Sequence, residues 1–275
     1  MMEHSGQKTL YELAKDGRLS YPLLAETVDL VCDIQMVGEK HRDELSIENV
    51  IDKEKYISGR GIIWPNKIEG KSIYFINKAR DALNIISEHH RLGKQLIDDF
   101  GGSYGIVNSL LVEYPRELYK DSNLRNFLVG NYGEVVAIDF ERLMLMPPHL
   151  ELVKVLESGA REYVNEKERN GLIMRYILTM EHLKKERINQ EQFFIVYDAA
   201  GIHNHVSVVG YLTDYSAVAQ PQQRLEMGIE TAQHFRRADE HVQRLDQTYE
   251  KDPKAKTEIR ELGKVIREIE RKVTK

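Results

Sequence analysis

Three residues of this sequence have the types and spacing to do chemistry together: Asp121, Asn126 and Asp139. An acid precedes an amide by five positions, and a second acid follows that amide by thirteen. The segments that must position them read as two strands. Asn126-Phe-Leu-Val and Val135-Val-Ala-Ile-Asp139 flank Asn131-Tyr-Gly133, a turn rich in residues that tolerate positive φ. Folding about Tyr132 and Gly133 puts Asn126 opposite Asp139 at the open end of a hairpin. Cross-strand neighbours lie about 4.5–5.5 Å apart, so both side chains reach one cation. Asp121 sits just outside that end, on the loop entering the first strand, as a proton acceptor alongside. The strand residues between are apolar and β-branched, which predicts a buried hairpin with a polar mouth. Asp, Asn and Gly are also ordinary turn residues, so the first acid and the amide alone say little. The correctly spaced Ile138-Asp139-Phe140 is what makes the pattern specific.

These residues resemble the aminoglycoside phosphotransferase and choline kinase superfamily, the small-molecule branch of the protein-kinase-like fold. On that resemblance Asp121 matches the family's catalytic aspartate, Asn126 its loop asparagine and Asp139 its metal-binding aspartate. Asp139-Phe-Glu141 resembles the small-molecule branch better than it resembles the Asp-Phe-Gly of protein kinases. Pro147-Pro-His-Leu-Glu-Leu-Val-Lys-Val-Leu156 is similar to the family's proline-containing loop and the Asp-Leu-Ala helix start after it. Phe193 to Gly210 resembles, more loosely, a late family helix, and Gly6 to Leu13 resembles the segment after the hinge between lobes. The likeness runs from about residue 6 to about 215, with strong motifs at 119–156. Three positions depart from the pattern. Tyr119 stands where a histidine is usual, Asn123 where a basic residue is expected (with Arg125 as a candidate substitute), and Glu151 where the helix-start Asp belongs.

The resemblance implies a mostly α fold with a small β-hairpin: a kinase-like C-terminal lobe whose N-terminal lobe is missing. That nucleotide-clamping lobe would lie before residue 1, and the sequence has no Gly-x-Gly-x-x-Gly and no strand lysine of the Val-Ala-x-Lys kind. Gly101-Gly-Ser-Tyr-Gly105 reads as a helix stop and loop, and Gly59-Arg-Gly61 as a turn. The implied activity is transfer of the ATP γ-phosphoryl group to a hydroxyl of a sugar, amino sugar or amino alcohol. Asp121 would act as base and Arg125 would offset charge. Asn126 and Asp139 would bind the cofactor, ATP with Mg2+. The other class of reading is a non-catalytic kinase-like lobe that binds or regulates, keeping the site as a relic.

At 275 residues the length allows one or two domains with a sizeable core. Lys and Arg number 39 against 44 Asp and Glu, a net charge of −5. No basic stripe is visible, which argues against a nucleic-acid partner. The first twenty residues are polar and no apolar run approaches a membrane span, so neither a leader nor a membrane anchor is expected. The lone Cys32 lies in an apolar helical stretch and fits a buried thiol in a reducing cytoplasm.

The remaining elements read mostly as helices. Thr9 caps a first short helix ended by Gly17, and Ser20-Tyr-Pro22 starts a second running to about Met36. Residues 38–72 read as helix pieces and loops, and Ser72 to Asp99 as one long helix. Pro221 opens a long polar-faced helix, dividing a catalytic lobe over 1–220 from a helical extension over 221–275. After Asp252-Pro253, Ile259, Leu262, Ile266, Ile269 and Val273 form a heptad-like seam. Its expected use is docking on the lobe, with homodimerisation or a protein partner through 254–275 as the alternative. His89-His90 and the pair His203 and His205 have spacings that argue against a shared metal. Trp64 reads equally as a cleft liner or a packing anchor, and Glu141 as a contact for a cationic substrate or metal water, or a cap on the hairpin.

Overall fold

The computed structural model describes residues 8–45, 47, 49–58, 60–141, 143–157, 160–250 and 252–274. Gly6, Gln7 and Gly59 lie outside the described residues. In chain order the elements begin with β1 (Lys8–Thr9), α1 (Leu10–Lys15), α2 (Tyr21–Lys40), β2 (Lys55–Ile57), β3 (Ile63–Pro65), β4 (Lys67–Ile68) and β5 (Lys71–Ser72). Next come α3 (Tyr74–His90), α4 (Lys94–Ser103), α5 (Gly105–Glu113), β6 (Glu117–Tyr119), β7 (Phe127–Val129), β8 (Val135–Ala137) and β9 (Met144–Met146). The chain finishes with α6 (His149–Glu157), α7 (Glu166–Lys184), α8 (Gln190–Ser216), α9 (Pro221–Thr248) and α10 (Pro253–Val273). It is mostly helical with short strands, and it forms two compact units.

The first unit comprises Met1–Asn49 and Pro115–Phe193. Thr9 and Glu12 make a reciprocal capping box at the start of α1, satisfying two helix-end amides, and Gly17 takes a φ of 66° after its end. Antiparallel β1-β7-β8 form a small sheet, and β6 pairs with β9. Helix α2 is the spine of the unit, packing on α6, α7, β6 and β8. Glu26 on this helix accepts the Val135 amide at 2.8 Å, and Gln35 accepts the Tyr176 hydroxyl at 2.6 Å. Close approach of α2 to β6 depends on Gly38, where an added Cβ would sit 2.7 Å from the Leu118 Cβ. His149, at the start of α6, is fully buried with its ring 4.1 Å from that of Phe193. Burial brings its imidazole pKa down to about 3.

The second unit comprises Val50–Tyr114 and Phe194–Lys275. Residues 55–57 pair antiparallel with 63–65 (β2-β3), and 67–68 with 71–72 (β4-β5), where the sequence predicts helix pieces and loops. Aromatic and β-branched residues such as Tyr56, Ile57, Ile63 and Trp64 win over helical propensity there. Glu69 and Gly70 both have positive φ, the type I′ turn that matches strand twist. The long helix expected over 72–99 is broken. Arg91 adopts a left-handed conformation that stops α3, and α4 starts after Gly93. The turn lets Leu92 and Leu96 both be buried. Gly101 and Gly102 belong to α4 rather than to a loop. Asp252 caps α10, whose seam residues Ile259, Leu262, Ile266 and Ile269 are buried in a helix that packs on α3, α4, α5 and α9. His203 and His205 are also buried, their Nδ1 atoms 2.7 Å from the Tyr104 hydroxyl and 2.8 Å from His234 Nδ1.

Two outcomes follow. Gly38→Ala should lower unfolding free energy by about 1–3 kcal/mol in urea titrations, since Leu118 must leave its place for the new methyl. The second concerns acid stability. A base whose folded pKa is depressed contributes stability above its ordinary pKa and loses it as pH falls. The His149 contribution should therefore be intact above pH 6.5 and disappear as pH falls towards about 3. Melting temperatures over that interval should fall less steeply in His149→Phe than in the parent protein.

Candidate active site

Every residue that builds the site belongs to the first unit. Its foundation is Glu151, buried in the first turn of α6. Its carboxylate accepts the Lys120 amide on Oε1 and the Ser122 amide on Oε2, the latter at 2.7 Å. Burial pushes the Glu151 pKa up, and the two backbone donors act against that shift. Clamped on both sides, Asp121 has a φ of 68°, a backbone conformation in which Asp and Asn are enriched. Its carbonyl is the hub of the loop, accepting the Asn123 amide and the Asn126 Nδ2, each at 2.8 Å. Asn123 in turn caps a 3-10 turn over Leu124–Asn126 by accepting the Arg125 amide at 3.1 Å.

The hairpin forms as the sequence predicts, with Gly133 at a φ of 91° in the turn. Its register corrects one expectation. Phe127 pairs with Ala137, so Asn126 stands opposite Ile138 rather than Asp139, and its carbonyl accepts the Ile138 amide at 2.9 Å. Asp139 is the next residue, exposed, and takes a φ of 63°. That turn out of the extended conformation takes its backbone off the line of the strand.

Lys120 ties the two halves together. It is 1% exposed, donates from Nζ to the Ile138 carbonyl at 2.9 Å, and lies 4.9 Å and 5.1 Å from the ring centroids of Phe127 and Phe140. Burial lowers its pKa, opposed by the charges of Glu151, Asp139 and Asp121. Lys154 on α6 places Nζ 3.4 Å from Asp121 Oδ1, the oxygen that also accepts the Tyr119 hydroxyl at 3.3 Å. Arg125 is exposed and lies 4.3 Å over the Tyr11 ring. Burial of Tyr11 opposes its ionisation, yet Arg125 and Lys15 bring its pKa below the usual phenol range.

The structure thus joins Asp121 and Asn126 through the Asn126 side-chain amide, and Asn126 to the strand leading to Asp139 through a backbone bond. Glu141 is exposed beside them, and Trp64 belongs to the second unit. Lys120 and Lys154 are the residues that sequence reasoning missed. A lysine beside an acid carries the ordinary signal of a solvated surface, so nothing marked Lys120 as buried. For Lys154 the spacing of three from Glu151 was visible once α6 was placed, because such residues share a helix face.

No family model matches the chain, and no curated protein does. Among solved structures it is similar to a choline/ethanolamine kinase family protein from Mesorhizobium loti, at 14% identity and a TM-score of 0.45, covering 94% of this chain and 72% of that one. It is also similar to the choline kinase LicA from Streptococcus pneumoniae, at 12% identity and a TM-score of 0.37, covering 75% and 80%. A structure of LicA in complex with AMP gives 12% identity and a TM-score of 0.32, covering 78% and 79%.

Glu151→Gln should remove one of the two backbone anchors and cost about 1–3 kcal/mol of stability. Hydrogen exchange reads the effect locally. The amides of Lys120 and Ser122 should be protected in the parent protein and exchange faster in the variant.

Proposed function

We propose that this chain is a kinase-like phosphotransferase that moves the γ-phosphoryl group of ATP to a hydroxyl of a small molecule. The observation that carries this reading is the state of Asn126. Its Nδ2 is committed to the Asp121 carbonyl, which leaves Oδ1 as the atom for an outside ligand. Asn126 Oδ1 and the exposed Asp139 carboxylate are hard oxygen donors of the kind Mg2+ takes, so the residues fit that ion. When bound with ATP, Mg2+ offsets the charge of the phosphates.

The chain's own groups have separate tasks. Asp121 Oδ1 is engaged by Lys154 and Tyr119, leaving Oδ2 to orient the acceptor hydroxyl and take its proton. As the new oxygen–phosphorus bond forms, the bond to the leaving ADP breaks. Lys120 keeps the Asp121 loop in register with the strand before Asp139, and positioning is the larger part of catalysis in such transfers. Arg125 is available on the exposed side to offset charge. Acceptors of the sugar, amino sugar or amino alcohol kind suit the site, with exposed Glu141 as the contact for a cationic one.

One observation favours the second reading, a kinase-like lobe that binds or regulates without turnover. The Lys154 ion pair gives Asp121 a purely structural use that a relic would also keep.

Calorimetric titration with ATP, with and without Mg2+, separates the two. On the first reading the parent protein binds ATP only when Mg2+ is present. Asp139→Asn should weaken that binding at least about tenfold, because a charged ligand to the ion is lost. Its melting temperature should be unchanged. Absence of Mg2+-dependent ATP binding in both proteins would leave the second reading in place.

A further inference from the structure

Phosphoryl transfer needs positive charge beside the group that moves, because charge spreads over its oxygens in the transition state. Position 123 supplies none, and Asn123 uses its side-chain oxygen to accept the Arg125 amide at 3.1 Å. Among the described residues, Lys120 and Arg125 belong to the Asp121 loop and Lys154 touches it. Lys120 is committed, since its buried side chain donates to the Ile138 carbonyl between two aromatic rings. Arg125 lies over the Tyr11 ring. Lys154 differs from both. Its Nζ is 3.4 Å from Asp121 Oδ1, with the two side chains 27% and 39% exposed, so an incoming ligand reaches both charges together.

The helix explains the placement. Glu151 in the first turn of α6 holds the amides on either side of Asp121, and Lys154 follows it by one turn. One element thus sets both the loop and the ammonium beside it. The pair is looser than the roughly 2.7–2.9 Å of a close charge-assisted bond. An ammonium also carries three donors on a flexible stem, so contact with one carboxylate oxygen leaves donors for a second anion. A hydroxyl oriented by Asp121 Oδ2 would lie about 2.6–3.2 Å from it. The phosphorus under attack is one bond further on, within the sweep of a lysine anchored at Oδ1.

We propose that Lys154 is a catalytic residue of the transfer, its ammonium holding a non-bridging oxygen of the γ-phosphoryl group as that group passes to the acceptor. The inference rests on the phosphotransferase reading and adds the residue that meets the moving charge. In the step, the hydroxyl oxygen forms a bond to the γ-phosphorus. The bond from that phosphorus to ADP breaks, its electron pair leaves with the ADP oxygen, and the hydroxyl proton passes to Asp121 Oδ2. Lys154 keeps its protons throughout and acts by charge and hydrogen bonding alone.

Calorimetry with ADP and with the β,γ-imido analogue of ATP, both in the presence of Mg2+, tests this without turnover. The two nucleotides differ by the terminal phosphoryl group. Lys154→Met keeps the stem and should weaken the analogue at least about tenfold, while ADP binds within about twofold of the parent value. The melting temperature should not move, since the ion pair is partly exposed. The same substitution in an Asp121→Asn background separates a direct contact from one that acts through the carboxylate. A direct contact should cost the analogue as much there as in the parent background. The proposal is overturned if Lys154→Met weakens both nucleotides alike, or if its effect vanishes beside Asp121→Asn. If the parent binds neither nucleotide, the phosphotransferase reading falls and this inference with it. If the parent binds both and Lys154→Met binds the analogue as the parent does, that reading stands and the role of Lys154 alone is lost.

Discussion

The backbone amides of Lys120 and Ser122 converge on one buried carboxylate, and the geometry of the candidate site depends on that convergence. Burying a charge is expensive unless hydrogen bonds replace the lost water. Glu151 meets that cost with donors from the loop it organises, so the site cannot relax without stranding the charge. The position in the first turn of α6 adds to the effect, since negative charge is favoured near a helix N-terminus. From this clamp the order spreads outward. Asp121 is held between the two amides, its carbonyl gathers Asn123 and Asn126, and Asn126 passes the register to Ile138.

Lys120 closes the circuit from the other side. Its backbone amide is given to Glu151 while its ammonium reaches the Ile138 carbonyl, so one residue connects helix, loop and strand. The two aromatic rings beside its ammonium provide a further favourable contact for a cation largely removed from water. Such networks are stiff because each member satisfies another's polar group. Stiffness of this kind is what the proposed phosphoryl transfer, which would work by positioning, requires.

Much of this was legible in the sequence, for physical reasons that differ from element to element. The hairpin was readable because alternating apolar strands and a turn of Asn, Tyr and Gly admit few other folds. Its register missed by one residue, because the pairing fixes Phe127 against Ala137 and the left-handed Asp139 lies beyond the ladder. The seam of α10 was readable from its period, since a narrow apolar stripe on a charged helix must be covered. The break at Arg91 was not, because a left-handed arginine is decided by where Leu92 and Leu96 find cover, a tertiary matter. The strand pairs β2-β3 and β4-β5 were hidden by interspersed charges, which suit exposed strands as well as helices. Trp64 was evenly balanced between two readings, and in the fold its ring lies 5.0 Å from the Arg80 guanidinium.

Both acids of the site, Asp121 and Asp139, sit in the left-handed region. Asparagine shares their tolerance for it, whereas alanine and above all β-branched residues do not. Alanine scanning would therefore be a misleading instrument here. It would report backbone discomfort and the lost carboxylate as one number, while the amide replacement isolates the charge. The same constraint narrows what drift can do at these positions: mutation can silence either carboxylate cheaply by amidation, and by few other routes without disturbing the fold.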